Sequence, residues 1–325
     1  MSSFALLLKT SIKLATVFLF GSIGETITEK SGHLNMGIPG IMSIGAIGGV
    51  LGESIYIQAV GKNGIDPFLC ILIPIIFTLI FGAIAGLFFS FMCVTLKSNQ
   101  NVVGLTLTTF GGGLCGLLLS NDKLINKDFF YIPGKYFNSM FFPNKPQQPN
   151  WFVNAFLSQG VLTYIAIILA IVVAIFFKRS RTGLSLRAVG ENPATSDAVG
   201  INVTKYKYIA TIVGSAIAAL GGLFVVMDNN RGTFEPDVIE AYGWLAVALV
   251  IFTMWKTDLA IAGSFIFAVL YCIPNVFAFP GGTMKLLKIA PYLMTIIVLI
   301  LTSVLNVKDS QPPSSLGVTY FREDR

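Results

Sequence analysis

The chain has 325 residues, of which 54% are hydrophobic and only 12% are charged. A soluble domain carries about 25% charged residues, so this composition excludes a water-soluble globular protein and favours one polytopic membrane domain over residues 1–325. The net charge of +6 comes from basic residues that flank apolar segments, which argues against nucleic-acid binding.

Nine apolar stretches are predicted to span a membrane, because roughly 18 to 20 apolar residues cross the hydrocarbon core. Backbone polar groups must bond to one another in hydrocarbon, so each stretch is expected to be helical. The predicted fold is therefore all-α, a polytopic transmembrane bundle of about 8–10 spanning helices. In chain order the stretches are Phe4–Gly24, Leu34–Gly52 with an extension toward Val60, Pro67–Leu96, Gln100–Asn121, Asn154–Phe177, Tyr208–Met227, Ala241–Trp255, Leu259–Met284 and Ile289–Asn306.

Two loops interrupt this apolar pattern and set the predicted orientation. The loop 178–207 holds six basic residues against Glu191 and Asp197, so the positive-inside rule predicts that it is cytoplasmic. The loop 122–150 is aromatic and rich in proline. Since one predicted helix separates the two loops, the second is expected on the extracytoplasmic side.

The side of the N-terminus follows less directly from the sequence. Counting helices backwards from the basic loop puts Lys97 and Lys30 inside and the N-terminus outside. Lys9 and Lys13, near the N-terminus, argue against that last step because basic residues favour the inside. Both orientations of the first segment stay open at this point.

The most informative loop stretch is Arg187–Ile201, RAVGENPATSDAVGI. Asn192 is a good N-cap, Pro193 suits a first helical turn, and Gly200 suits a helix end. These residues predict a short helix over Pro193–Val199 on the cytoplasmic side. Such a helix can simply connect two spans, or it can dock a separate ATPase and move with it, and the residues alone leave both interpretations open.

Neutral polar residues at two breaks in the apolar pattern are candidates for a solute path. Asn35 and Met36 precede a segment broken by glycine and proline, and broken helices form solute sites in transporters. Asn99, Gln100 and Asn101 offer hydrogen-bond donors and acceptors that suit an uncharged polar solute. The same residues also suit a kinked helix and a helix cap, so both roles remain predictions.

Several absences exclude other functions. No GxxxxGK[ST] loop occurs, so the chain is not expected to bind ATP through a P-loop. Glu53 is the only acid within a predicted span, which argues against a proton relay. No nucleophile with a base and no metal-ligand spacing is evident, so we expect no catalytic residue, no metal site and no cofactor in this chain.

Several stretches together resemble one family, the ABC-transporter permeases for nucleosides and simple sugars. EKSGHLNMGIPGIMSIGA and LKSNQNVVGLTLT resemble its first two signatures, and RAVGENPATSDAVGIN followed by YKYIATIVGSAIAALGGLF resembles its coupling segment and next helix. AYGWLAVALVIFTMWKTDLAIAGSFIFAVLY, IAPYLMTIIVLILTSV and the tail SSLGVTYFRED are similar to its C-terminal elements. The resemblance covers about residues 20–325 in order and favours the nucleoside branch.

The resemblance implies one membrane subunit of an ATP-driven importer that moves nucleosides inward by alternating access. It implies four partners: an ABC ATPase that binds ATP and magnesium, a second permease that is identical or different, a substrate-binding lipoprotein, and the lipid of the bacterial cell (inner or plasma) membrane. The residues it assigns to coupling with the ATPase are Arg187, Gly190, Glu191, Asn192, Pro193, Asp197 and Gly200.

Three alternatives stay open beside this interpretation. The same kind of ATP-driven importer can carry a simple sugar or a branched-chain amino acid instead. The chain can also be a stand-alone secondary transporter, or a membrane scaffold without transport. The loop 122–150 departs from the family in its length and aromatic content.

Overall fold

The computed structural model describes residues 3–61, 64–121, 124–125, 131–139, 152–277, 281–287, 289–304 and 311–321. Throughout these ranges the regular structure is helical and no strand occurs, which confirms the all-α prediction. In chain order the helices are α1 Ser3–Glu29, α2 Ile38–Val60, α3 Pro67–Ser90, α4 Gln100–Leu119, α5 Tyr131–Ser139, α6 Val161–Arg179, α7 Arg181–Glu191, α8 Pro193–Ala198, α9 Val203–Phe224, α10 Pro236–Phe252, α11 Thr257–Val276, α12 Gly281–Leu287 and α13 Ala290–Val304.

In these described ranges, seven helices are long and apolar enough to cross a membrane. They are α1, α2, α3, α4, α6, α9 and α11, and π-helical turns extend α3 to Thr95 and α9 to Asn229. Helices α10 and α13 are shorter, with 17 and 15 residues. These nine helices correspond to the nine predicted stretches, and the chain is a multi-pass membrane protein.

Helices α1, α2 and α9 form the centre of the bundle. In its most apolar window α2 is 89% buried, whereas the windows of α3, α4 and α6 are 33% buried and face outward. A Cβ on Gly24 of α1 would lie 2.3 Å from the carbonyl oxygen of Gly214 on α9, so only glycine permits this crossing. Gly45 of α2 packs as closely on Ala219 of α9. Small residues thus let the central helices touch backbone to backbone.

The first helix is longer than predicted. The apolar run ends near Gly24, but nothing in the next five residues breaks a helix, and α1 continues to Glu29. Glu25 and Glu29 are consequently inside a span, with 0% and 3% of their surface exposed. The prediction that Glu53 is the only acid within a span is therefore wrong.

The two ends of the bundle differ in charge. One end, which we call the basic end, consists of residues 30–37, 95–99, 179–202, 253–256 and 311–321. The N-terminus of α1 lies at the opposite end, since Lys13 there contacts Asp228 at the far end of α9. The N-terminus and the loop 178–207 are thus at opposite ends of the bundle, and the cytoplasmic side of the loop stays a prediction of the positive-inside rule.

Only part of the predicted external loop 122–150 is described. It contains α5, which lies against the end of α9. The stretch Asn144–Asn150 lies outside the described residues.

Candidate functional site: the basic end and an acidic cavity

The coupling segment, residues 181–200, consists of α7 followed by α8. The Asn192 side-chain oxygen accepts a hydrogen bond from the Thr195 backbone N–H at 3.0 Å, and Pro193 begins α8. Gly200 then has a φ of +87°, a conformation that favours glycine. The predicted short helix is confirmed, although it ends at Ala198, and α7 ahead of it was not predicted.

One face of the coupling segment packs on the bundle and the other is free. Gly190 is buried against the α1–α2 loop, where a Cβ would lie 2.2 Å from the Lys30 carbonyl oxygen. Arg187 is exposed, as are the apolar side chains of Leu184 and Val199, the latter by 71%. The segment therefore touches the loop next to α1 while it presents a mixed basic and apolar surface.

The tail, residues 311–321, binds back onto the coupling segment. The Ser315 backbone N–H donates to the Gly190 carbonyl at 3.0 Å. The Ser314 hydroxyl donates to the Glu191 carboxylate at 2.8 Å, and its backbone N–H donates to the same oxygen at 3.2 Å. Two residues that the family resemblance assigns to ATPase coupling thus have partners inside the chain.

The tail also reaches two other elements of the basic end. The Tyr320 hydroxyl donates to the Asp197 carboxylate at 3.0 Å, and the Lys97 ammonium donates to the Tyr320 carbonyl. The Gly317 backbone N–H donates to the Gly32 carbonyl at 3.2 Å. The tail therefore ties α8, the α3–α4 junction and the α1–α2 loop into one unit.

Three of the predicted path residues shape the α1–α2 loop. The Gln100 side-chain oxygen accepts from the Leu34 backbone N–H at 2.7 Å, and the Asn35 side-chain oxygen accepts from the Gly37 backbone N–H at 3.0 Å. Asn35 is fully buried, while Met36 is half-buried and lines a cavity. Their contact with solute stays a prediction.

The other two path residues are at the start of α4. The Asn99 side-chain oxygen accepts from the backbone N–H groups of Asn101 at 3.0 Å and Val102 at 3.2 Å, which makes Asn99 the N-cap. Asn101 is exposed. The structure thus shows the capping role for Asn99 and brings neither residue to the cavity that Met36 lines.

His33 lies in the same α1–α2 loop and is buried. Its Nδ1 is 3.0 Å from the Thr211 hydroxyl of α9. Burial, with a smaller effect of the Lys207 charge, lowers the pKa of His33 well below its ordinary value. His33 is therefore a neutral packing residue that joins the loop to α9.

A cavity of about 670 Å³ lies between α1, α10, α13 and the tail. Its walls are mostly apolar, and its polar members are Glu25, Glu29, Gln311 and the indole of Trp255. The Trp255 indole N–H donates to the Glu29 carboxylate. We call this space the acidic cavity, because two carboxylates of α1 face it.

Trp255 is held in an unusual backbone conformation. Met254 and Trp255, in the turn between α10 and α11, have φ values of +55° and +56°. Two successive non-glycine residues in the left-handed region cost free energy that the surrounding structure must offset. The hydrogen bond to Glu29 is part of that offset, so the position of the indole depends on α1.

A second cavity, of about 470 Å³, opens on the other side of Trp255. We call it the charged groove, and Lys30, Arg187, Glu191 and Asp258 are among its lining residues. Burial, and secondarily the Arg187 charge, lowers the pKa of Lys30 to about 8. Since Trp255 and Gln311 line both spaces, a single wall separates the acidic cavity from the groove beside the coupling segment.

The opposite end carries a different acidic site. The Lys13 ammonium lies 2.7 Å from the Asp228 carboxylate, and the exposed fractions of the two side chains are 16% and 0%. The Lys13 ammonium also donates to the Asp228 backbone carbonyl at 3.3 Å. This buried ion pair fastens α1 to the end of α9.

The family described as "Branched-chain amino acid transport system / permease component" matches residues 7–302 of the chain. This chain belongs to that family of permeases. The match confirms the resemblance to ABC-transporter permeases that the sequence motifs indicated. It also makes the protein a transport permease.

Curated relatives of the permease carry names from two solute classes. A nucleoside ABC transporter permease of Lactococcus lactis is 29% identical and covers 95% of this chain and 94% of its own length. A guanosine ABC transporter permease of Bacillus subtilis is 25% identical, with 99% and 98% covered. A candidate glucose ABC transporter permease of Haloferax volcanii is 31% identical, with 83% and 77% covered. No solved structure is a significant match to the permease.

Sequence reasoning missed the most buried polar group of this site. The sequence does not predict a functional role for Glu25 or Trp255. The first predicted span stops at Gly24, and Trp255 is the last residue of an apolar stretch. A local signal existed for the acids: Glu25 and Glu29 are one helical turn apart and follow the apolar run without a helix breaker. No local signal brings Trp255 to them.

Proposed function

We propose that the permease is a membrane subunit of an ATP-driven importer that moves nucleosides inward by alternating access. The observation that carries this proposal is the similarity to nucleoside and guanosine permeases along 95% and 99% of the chain. The proposed partners are an ABC ATPase, a second permease subunit and a substrate-binding lipoprotein in a bacterial cell membrane. ATP and magnesium would be bound by the ATPase.

The coupling segment is the proposed contact with the ATPase. Its free face offers Arg187 together with the exposed apolar side chains of Leu184 and Val199, and an exposed apolar surface at a charged end favours a protein partner. Movement of this segment would pass to the α1–α2 loop through the close backbone contact of Gly190 with Lys30. That loop borders the acidic cavity through Leu34 and Met36.

A simple sugar is the second candidate solute. The glucose permease relative is 31% identical to this chain, against 29% and 25% for the two nucleoside permeases. Sugars and nucleosides are both neutral and rich in hydroxyl groups, so the same hydrogen-bonding groups along a solute path would suit either class. The experiment must therefore compare the two classes directly.

Uptake of labelled solutes tests the function. Cells that lack the permease but retain the other transporter genes are supplied with labelled guanosine, uridine, ribose, glucose or leucine, with and without the restored gene. We expect restored uptake of guanosine and uridine only. Restoration of sugar or leucine uptake alone would replace the proposed solute, and unchanged uptake of all five would contradict the transport proposal.

Co-purification with the ATPase tests the coupling segment. Val199→Asp places a charge on the free face of the coupling segment, directly after α8, and is expected to abolish ATPase co-purification without reducing membrane insertion. Val318→Asp is the matched control, because Val318 is an exposed valine of the same end but lies in the tail. Retention of the ATPase by Val199→Asp would show that the docking surface lies elsewhere.

A further inference from the structure

Two carboxylates face the acidic cavity without a basic partner. Glu25 and Glu29 lie one turn apart on α1, and among the described residues neither forms an ion pair. Glu29 accepts the hydrogen bond from Trp255. Glu29 and the Asn35 backbone are neighbours of Glu25, but neither carboxylate oxygen of Glu25 has a partner at hydrogen-bond geometry among the described residues. Glu25 therefore presents free acceptors inside the protein.

Free buried acceptors are costly for a fold and call for an explanation. A buried polar group without a hydrogen bond costs about 1–3 kcal/mol, and acids within spans usually face a cavity or a solute path. Glu25 is 0% exposed and lies beside an empty space of about 670 Å³. A ligand that brings hydrogen-bond donors into this space would satisfy the carboxylate.

The walls of the cavity restrict the kind of ligand. A volume of about 670 Å³ is within the ~300–1,000 Å³ typical of small-molecule sites, and apolar walls with a few convergent polar groups are typical as well. Leu34, Met36 and Ile251 offer apolar surface, and the Trp255 indole offers a flat face for a ring. The described lining offers no basic residue to an anion, whereas the two carboxyl groups accept hydrogen bonds from hydroxyl and N–H groups.

We propose that the acidic cavity binds a neutral, ring-containing solute rich in O–H and N–H donors, held by Glu25 and Glu29 beside Trp255. This inference rests on the proposed function and names its solute site on the permease. A nucleoside satisfies the requirements: its ribose hydroxyls donate to the carboxylates and its base covers the apolar wall. A phosphorylated nucleotide fits poorly, because the mostly apolar lining of this cavity, as far as the structure describes it, offers no basic residue to pair with its phosphate.

Direct binding to the purified complex tests the site. The permease with its ATPase and second subunit, in lipid nanodiscs and without the lipoprotein, is titrated with labelled guanosine, glucose and guanosine monophosphate. We expect saturable guanosine binding and about ten-fold or more weaker binding of the monophosphate, since burying a dianion in an apolar cavity without a cation costs more than one hydrogen bond gains.

Variants separate the site from general damage. Glu25→Gln and Glu29→Gln are each expected to weaken guanosine binding about ten-fold, because a carboxyl group with two acceptor oxygens is replaced by an amide with one. Ile251→Trp fills the cavity without altering a carboxylate and is expected to weaken binding at least as much. Glu53→Gln is the matched control. Glu53 is a buried acid of α2 whose carboxylate has no hydrogen-bond partner among the described residues, and it does not line this cavity.

The outcomes distinguish this inference from the proposed function. If cells take up guanosine but the complex binds none, or if the two glutamine variants and Ile251→Trp bind it as the unaltered protein does, the site is wrong and the function stands. If cells take up glucose and not guanosine, and the same variants weaken glucose binding, the site stands and the nucleoside assignment fails. Equal affinity for guanosine and its monophosphate would overturn the site.

Discussion

The permease buries acids at both ends of the bundle, and the two ends treat them differently. At the end opposite the basic end, Asp228 is paired with Lys13 at 2.7 Å. Toward the basic end, Glu25 has neither a cation nor a hydrogen-bond partner among the residues that the structure describes, and it borders the acidic cavity. A buried acid with its counter-charge inside the protein stabilises the fold. A buried acid that borders a cavity without such a partner can bind a ligand instead.

Breaking the ion pair between Lys13 and Asp228 is expected to change the stability of the protein most. Asp228→Asn leaves the Lys13 ammonium without its counter-charge, and removal of one partner of a buried pair costs about 3 kcal/mol or more. A fall in the unfolding temperature of the detergent-solubilised protein would measure this loss. The double variant Lys13→Met with Asp228→Leu is expected to recover most of it. Equal stability of Asp228→Asn and the unaltered protein would remove the distinction between the two ends.

The contact between the coupling segment and the α1–α2 loop is expected to be the next most sensitive point. Gly190→Ala places a Cβ within 2.2 Å of the Lys30 carbonyl oxygen, so the two backbones must separate at a cost of about 1–3 kcal/mol. We expect ATP hydrolysis to continue while solute uptake falls at least about ten-fold. Ala188→Ser, at an exposed position of the same helix, is the control. Normal uptake by Gly190→Ala would show that movement reaches the cavity by another route.

Replacement of Glu25 is expected to raise stability, whereas replacement of Asp228 lowers it. Glu25→Met removes a buried carboxylate that has no partner and keeps a similar volume, so stability should rise by about 1 kcal/mol. The unfolding temperature of the purified permease should increase while guanosine uptake declines. A lower unfolding temperature for Glu25→Met would mean that Glu25 serves the fold as Asp228 does.

The smallest expected effect is a pH dependence at Lys30. Its pKa in the folded protein is about 8, below the ordinary 10.5, chiefly because it is buried. Between these two values the unfolded chain binds more protons, so stability rises with pH, and the cost of the buried charge is fully present below pH 8. Lys30→Met should therefore raise the unfolding temperature by a degree or two at pH 7 and lose that advantage near pH 10. A constant difference at all pH values would exclude this origin.

Local features were predicted well from the sequence, because their causes are local. The apolar stretches located the spans, and Asn192, Pro193 and Gly200 located α8 through capping chemistry that acts over a few residues. The end of α1 was missed because hydropathy ends a span at its first acids, whereas the backbone continues until its geometry is broken.

The cavity and the tail could not be predicted in the same way. Glu29 meets Trp255 across 226 positions of sequence, and Ser315 meets Gly190 across 125. Such pairs depend on how α1, α10 and the tail pack together, and no spacing rule within one segment describes that packing. Met36 was the one predicted path residue that reached the cavity lining, because it lies in the loop that α1 and α2 bring to this end.

The position of Trp255 couples two spaces, since this residue lines both the acidic cavity and the charged groove. A displacement of this ring would alter the two spaces together, so a ligand in one would change the affinity of the other. If the proposed ATPase binds beside the charged groove and the proposed solute binds in the acidic cavity, linkage makes the effect reciprocal: each changes the affinity of the other by the same factor. A solute that strengthens the assembly would thereby be retained in it, and one that weakens it would be released as the ATPase binds.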